Sequence, residues 1–257
     1  MTYDWSKLRE PAPGKLVAAR EAAHWAAQAL TKAARANLDA KPDDSHSALV
    51  WDAHEAMLVT QPLPLGVVVG LDVAKLELVV LRGGHAARRA APADAWLDEE
   101  LRKSGLKPAS GTSLPYDIPR KDSAEKANLA ALARWFAASA EALEEARAKH
   151  AAVASPLYLW PHHFDIATLL SYPGGKSIGV GISMSDHYYA QPYLYVSVYP
   201  APADAVHPTL PAGHCHTKDF FGAVATADEL LAQRDPRAAL VAVIDAAVDQ
   251  GRRWLHG

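Results

Sequence analysis

Residues 164–184, FDIATLLSYPGGKSIGVGISM, decide the fold, because they join two strand-like runs through a sequence that is typical of a tight turn. Both runs are rich in β-branched and other apolar residues, which favour strands. Proline presets φ for the first corner of a turn and glycine accepts positive φ, so Pro173-Gly174-Gly175 between two such runs predicts a hairpin. We therefore expect antiparallel sheet in this region.

The next strand-like run, PYLYVSVYP at residues 192–200, has two different faces. Successive side chains of a strand point to opposite sides, so every second residue shares a face. The apolar face, which we expect in the core, consists of Leu194, Val196 and Val198. The other face is a row of tyrosines with one serine: Tyr193, Tyr195, Ser197 and Tyr199. On the preceding run Gly179 and Gly181 share one face, where a close-packed helix or a ligand would fit.

The rest of the chain extends this pattern to two strand groups and three long helices. Short apolar runs separated by turn residues predict strands within 47–82 and within 156–200. Alanine-rich or periodically apolar segments predict helices at 15–38, 123–150 and 236–255. Because connections within each strand group have only hairpin length, the sequence predicts an α+β fold, with mostly antiparallel sheet covered by helices. We expect a single α+β domain over 1–257, and a two-lobed arrangement with a linker at 106–122 stays open.

The composition excludes several classes of protein. A chain of 257 residues, half of them hydrophobic, is long enough to bury a core. The 26 Lys and Arg residues against 29 Asp and Glu give a net charge of −3 without long blocks of either sign, so neither nucleic acid nor a membrane is expected as a partner. No export signal and no apolar run of about 20 residues is visible. With Cys215 as its one cysteine, the sequence predicts a cytoplasmic protein without disulfides.

Histidine is the most conspicuous chemical resource of the sequence. A His-x-His pair on a strand turns both imidazoles to one face, where they can bind one zinc or iron ion, and residues 214–216 have this spacing. A mononuclear site of three or four such ligands acidifies a bound water and supports hydrolysis. The predicted ligands of zinc or another divalent metal are His163, Asp165, His187, His214 and His216. The alternative is a chance pattern, because the chain contains 12 histidines.

YLWPHHFDIA, residues 158–167, contains the adjacent pair His162-His163 within a stretch that is otherwise typical of a buried strand. On a strand the two rings point to opposite faces, so only His163 shares the face of Asp165. The alternative hypothesis is a polar strand entrance after Pro161, without a metal. In either case the Asp165 carboxylate needs solvent or a hydrogen-bond donor.

Aromatic residues support a different function. A small-molecule pocket needs apolar walls and a few orienting polar groups. The residues expected to border such a pocket are Trp160, Asp165, Tyr193, Tyr195 and Tyr199. No phosphate-binding or dinucleotide-binding motif is present, so the leading hypothesis is a small-molecule-binding protein or enzyme without a redox cofactor. Cross-strand packing is an alternative explanation of the tyrosines, and a homodimer surface formed by the tyrosines or the alanine-rich helices is a third.

Three segments, SPLYLWPHHFDIA, PYLYVSVYPAP and DFFGAVATADELL, occur in an order that resembles a bacterial family catalogued only as a domain of unknown function. Their patterns are W-x-x-x-F-D-x-A, which Trp160, Phe164, Asp165 and Ala167 match, and a Y-x-Y-x-x-x-Y-P segment at 193–200. The resemblance implies one α+β domain of bacterial origin without an established activity. The two histidine pairs do not belong to the family pattern.

Overall fold

The computed structural model describes residues 3–202 and 209–256, which divide into two compact units. The first unit comprises 15–137 and 158–164, and the second comprises the described residues of 1–14, 138–157 and 165–257. The segment 106–122, predicted as a linker, lies inside the first unit. Each unit contains its own set of antiparallel strands.

The first unit is built on six strands. In chain order the elements are α1 (Val17–Asn37), β1 (Leu49–Asp52), β2 (Met57–Thr60), β3 (Val68–Asp72), β4 (Glu77–Arg82), β5 (His85–Ala90), α2 (Asp94–Lys103), α3 (Lys126–Lys149) and β6 (Tyr158–Trp160). The residues of α3 up to Ala137 belong to this unit. The strands lie in the order β6-β1-β2-β3-β4-β5, and every neighbouring pair is antiparallel.

Alanine allows α1 to lie close to the strands of the first unit. Most buried positions of α1 are alanines, and the helix lies against β2 and β3. Small side chains let the helix backbone approach the sheet and lose no rotamer freedom there. The same buried side of α1 also carries His24, Gln28 and Thr31, whose polar atoms need hydrogen-bond partners.

The polar residues of α1 hold a turn at residues 161–164. His24 Nε2 at 2.8 Å and Gln28 Nε2 at 3.1 Å both donate to the carbonyl oxygen of Pro161. Arg20 donates to the carbonyl oxygen of His163 at 2.9 Å. Three side chains from one helix therefore fix the path of this short segment.

The stretch 158–167 contains a turn between two strands. β6 ends at Trp160, Phe164 has a φ of 61°, and the Phe164 N–H donates to the Trp160 carbonyl at 2.7 Å, which closes a turn. His162 and His163 are both exposed, and their ring centroids lie only 4.2 Å apart instead of on opposite faces. A new strand begins at Asp165, so His163 and Asp165 do not share a strand face.

The described residues of the second unit form five strands. The elements that follow β6 are β7 (Asp165–Tyr172), β8 (Lys176–Ser183), β9 (Tyr193–Tyr199), β10 (His214–His216), β11 (Gly222–Thr226), α4 (Ala227–Leu231) and α5 (Pro236–His256). The strands lie in the order β7-β8-β9-β11-β10, and every neighbouring pair is antiparallel. Among the helices of the described residues, none has the length and apolar character that crossing a bilayer requires.

The hairpin predicted from Pro173-Gly174-Gly175 is confirmed. β7 and β8 pair antiparallel along their whole lengths, and both glycines have positive φ, 78° and 73°. Glycine adopts this left-handed region without the steric penalty that a Cβ atom brings. A strictly local signal was therefore sufficient to predict this connection.

The two faces predicted for β9 are also observed. Leu194, Val196 and Val198 are buried, and α5 lies against β8, β9 and β11. Gly251 allows the close approach of α5, because a Cβ atom there would lie 2.9 Å from Ile178 Cδ1. The tyrosines of β9 lie on the opposite face, away from α5.

The α+β class with antiparallel strands is confirmed, but strands also occur outside the predicted ranges 47–82 and 156–200. β5 was not predicted because five of its six residues are exposed, so it lacks an apolar alternation. β10 has only three residues, which is too short for a periodic signal. The helix expected from residue 123 begins at Lys126.

Replacement of His24 by glutamine should make stability less dependent on pH. Burial, followed by the Arg20 charge, lowers the pKa of His24 to about 3, so the folded protein keeps this ring neutral. In the unfolded chain the His24 ring binds a proton below its ordinary pKa of about 6.5. The stability that the neutral ring contributes is therefore fully present above that pH and is lost as the pH falls toward 3. Between about pH 7 and pH 5, protonation of His24 in the unfolded chain should lower the wild type's free energy of unfolding by about 2 kcal/mol. His24→Gln keeps an N–H donor for Pro161 but does not titrate.

Urea unfolding of both proteins at the two pH values measures the difference. An effect of the substitution on stability that does not depend on pH cancels, because the unfolding free energy of each protein at one pH is compared with its own value at the other. Equal pH-dependent losses of unfolding free energy would show that His24 is not the titrating group.

Candidate functional site

Strand register brings most of the predicted site residues of the second unit to one face. Directly paired residues of neighbouring strands share a face. The rows across the strands are Asp165–Ser183–Tyr193–Thr226, Ala167–Gly181–Tyr195–Val224–His214 and Leu169–Gly179–Ser197–Gly222–His216. We call the side of these strands that carries Asp165, Tyr193, Tyr195, Tyr199, His214 and His216 the tyrosine face.

Tyr195 extends over its neighbouring strand to a buried carboxylate. Its hydroxyl donates to Asp165 Oδ2 on β7, and Asp165 is only 6% exposed. The ring passes over Gly181 of β8, where a Cβ atom would lie 2.5 Å from Tyr195 Oη. Burial, together with the Asp165 charge, raises the pKa of Tyr195 well above its ordinary value, so the hydroxyl remains a donor. The space predicted at Gly181 for a helix or ligand is filled by this ring.

Tyr193 makes a second pair of the same kind. Its hydroxyl donates at 2.5 Å to Oδ2 of Asp186, which lies in the connection after β8. Asp186 Oδ1 accepts the backbone N–H groups of Tyr188 at 2.8 Å and Tyr189 at 3.3 Å. Burial, followed by the hydrogen bond to Asp186, raises the pKa of Tyr193. This carboxylate therefore orders the connection that carries two further tyrosines.

The rings of these residues form one aromatic cluster. Its members are Tyr188, Tyr189, Tyr193, Tyr195, His216 and Phe220. Phe220 stacks on His216 with centroids 4.1 Å apart, and it also lies 5.8 Å from Tyr188 and 6.3 Å from Tyr195. A third tyrosine–carboxylate pair borders the cluster, because the Tyr188 hydroxyl donates to Asp219 Oδ2 at 3.2 Å.

The hydroxyl of Tyr189 joins the two histidines of β10. His214 Nε2 lies 2.8 Å and His216 Nδ1 lies 3.1 Å from Tyr189 Oη. His214 Nδ1 lies 3.1 Å from Glu229 Oε1. Glu229 is held by the capping box at the start of α4, where its Oε2 accepts from both the backbone and the side chain of Thr226.

The predicted metal ligands are only partly brought together. His214 and His216 meet at Tyr189, whereas His187 is exposed with its ring 3.8 Å from that of Tyr188. His163 belongs to the first unit. Within 3–202 and 209–256, no three His, Cys, Asp or Glu side chains have an arrangement that holds a metal ion. The five-residue metal centre stays a prediction.

Two residues of the predicted pocket are not members of the aromatic cluster. Trp160 belongs to the first unit, where its ring contacts those of Tyr158 and His162 at 6.0 and 6.1 Å. Tyr199 lies at the end of β9 and is 68% exposed. Other residues of the site were not assigned to it from sequence. They are the cluster members Tyr188, Tyr189 and Phe220 and the carboxylates of Asp186, Asp219 and Glu229. Asp186 had a recognisable signal, because aspartate commonly accepts the backbone N–H groups two and three residues later.

Cys215 lies on the α5 side of the second unit's strands. It lines a small apolar pocket together with Val196, Val198 and Trp254. Burial raises the pKa of the Cys215 thiol, which disfavours the thiolate that a nucleophile requires. The polar chemistry of this unit is therefore concentrated on the tyrosine face.

Comparisons with protein-family models, with curated proteins and with solved structures found no match for this chain. The resemblance to an uncharacterised bacterial family stays a prediction. The site combines hydrogen-bonded carboxylates, aromatic rings and two imidazoles that converge on one hydroxyl.

Substitution of Gly181 by alanine should destabilise the protein by about 1–3 kcal/mol. The added methyl group would lie 2.5–2.7 Å from Tyr195 Oη, Tyr195 Cζ and Ala167 Cβ, so the Tyr195 ring would have to shift. Gly111→Ala is the matched control, because no atom lies within 4 Å of its added Cβ. Chemical unfolding should separate the two variants, and a Gly181→Ala protein as stable as Gly111→Ala would contradict the position of the ring.

Proposed function

We propose that the tyrosine face binds a small organic molecule that carries an ammonium group. The observation that supports this most strongly is the set of three tyrosine hydroxyls that each donate to a carboxylate at one aromatic cluster. A cation is attracted by the face of an aromatic ring and by carboxylates, and both occur here together. A neutral or anionic ligand would gain much less from this combination.

The hydrogen bonds of the tyrosines also favour a cationic ligand. A hydroxyl that donates to a carboxylate shifts electron density into its ring, which makes the ring a better partner for a cation. Asp186 and Asp219 form no ion pair with a lysine or arginine among the described residues, so their charges are not neutralised by such a pair. The site has the apolar walls and few orienting groups that small-molecule binding needs.

We further propose that the protein is cytoplasmic and that helices cover only the side of the strands opposite the tyrosine face. The homodimer hypothesis predicts instead that a second chain covers the tyrosines, and light scattering with and without ligand distinguishes the two.

Choline and its neutral isostere 3,3-dimethylbutanol are the appropriate probes, because they differ mainly in charge. Ligand-observed NMR and calorimetry should show binding of choline and at least about tenfold weaker binding of the isostere. Asp186→Asn removes one charge while retaining an acceptor, and it should weaken choline binding by about tenfold.

Tyr199→Phe is the control for this series. It also removes one hydroxyl from the same strand and the same face, but at the exposed end of β9. Choline binding should be unchanged in this variant. Equal affinity of choline and its isostere, or no choline binding at millimolar concentration, would overturn the proposal.

A further inference from the structure

We infer that Tyr189, His214 and His216 form a binding site for one divalent transition-metal ion. The ligand atoms are His214 Nε2, His216 Nδ1 and Tyr189 Oη. This site differs from the one predicted from sequence, because Tyr189 takes the place of the three other residues in that set. The inference does not depend on the proposed binding of an ammonium compound.

Both imidazole nitrogens lie at a distance from Tyr189 Oη that is close to the separation of two ligand atoms in a coordination sphere. The two nitrogens lie 2.8 and 3.1 Å from the same tyrosine oxygen. Ligand atoms at roughly 2.0–2.2 Å from a tetrahedral ion are separated by about 3.3–3.6 Å, so shifts of a few tenths of an ångström to about 0.8 Å would accommodate the ion. The antiparallel pairing of β10 with β11 holds the two histidines on one face.

The remaining nitrogen of each imidazole has an acceptor that fixes its proton. His216 Nε2 lies 2.6 Å from the carbonyl oxygen of Lys218, which can only accept, so Nε2 carries the proton. His214 Nδ1 is turned in the same way to the carboxylate of Glu229. A carbonyl or carboxylate behind each imidazole is the usual arrangement around metal-binding histidines. The opposite nitrogens, His214 Nε2 and His216 Nδ1, are the two that lie next to Tyr189 Oη.

The Tyr189 hydroxyl carries one proton and can donate it to only one of the two nitrogens. One metal ion bound by all three atoms would satisfy both nitrogens and the oxygen at once.

The proposed metal position can be reached from solvent. The side chain of His214 is 42% exposed, so an ion can reach it from solvent. Binding then forms a metal–phenolate bond and releases one proton to solvent. Three protein ligands leave at least one coordination position for water or a substrate.

The test uses full-length protein without an affinity tag, first treated with a chelator and then dialysed. Calorimetry with Zn²⁺ should show one ion per chain. His214→Ala and His216→Ala should each weaken Zn²⁺ binding by more than about tenfold, since even loss of an outer-shell partner has an effect of that size. Tyr189→Phe keeps the ring and should also weaken Zn²⁺ binding.

His187→Ala is the control, because this histidine belongs to the sequence-predicted set but lies outside the three converging atoms. Its affinity for Zn²⁺ should equal that of the wild type. Cu²⁺ provides an independent readout: a phenolate ligand produces a visible charge-transfer band, which should be present in the wild type and absent in Tyr189→Phe.

Because His216 is only 8% exposed, unfolding curves must accompany its variant. Tyr189→Phe and His214→Ala change more exposed side chains and keep the test valid if His216→Ala does not fold. Absence of Zn²⁺ binding by the wild type would mean that a proton alone fills the position, and it would overturn the inference. Equal affinities of wild type, His214→Ala and Tyr189→Phe would overturn it as well.

Discussion

Burial of the Asp165 carboxylate at the first residue of β7 imposes the constraint on which the tyrosine face depends. A buried charge is costly unless it accepts hydrogen bonds, and Tyr195 donates one from β9, two strands away. The ring can cross β8 only because Gly181 has no side chain. One carboxylate, one hydroxyl and one missing methyl group therefore determine the shape of this surface.

A second hydrogen bond from a tyrosine to an aspartate extends the site along the chain. Tyr193 donates to Asp186, and Asp186 in turn accepts the backbone N–H groups that order the connection between β8 and β9. That connection carries Tyr189 to the two histidines of β10. The convergence of two imidazoles on one hydroxyl thus follows from hydrogen bonds to a carboxylate that lies three residues before Tyr189.

Sequence predicted the features whose signals are local. The hairpin at 173–175 and the two faces of β9 each depend on residues within a few positions of one another. The turn at 161–164 could not be predicted in this way, because the side chains that hold it come from α1, more than 130 residues earlier. Tyr189 was missed as a ligand candidate for a similar reason, since its partners are 25 and 27 residues away.

A double-mutant cycle between Asp165 and Tyr195 tests the central constraint most directly. Unfolding free energies of the wild type, Asp165→Ala, Tyr195→Phe and the double variant give the coupling between the two side chains, with their separate costs removed. A charge-assisted hydrogen bond in this buried position predicts a coupling of about 1.5–3 kcal/mol. Effects that add to within about 0.5 kcal/mol would show that the two side chains do not depend on each other.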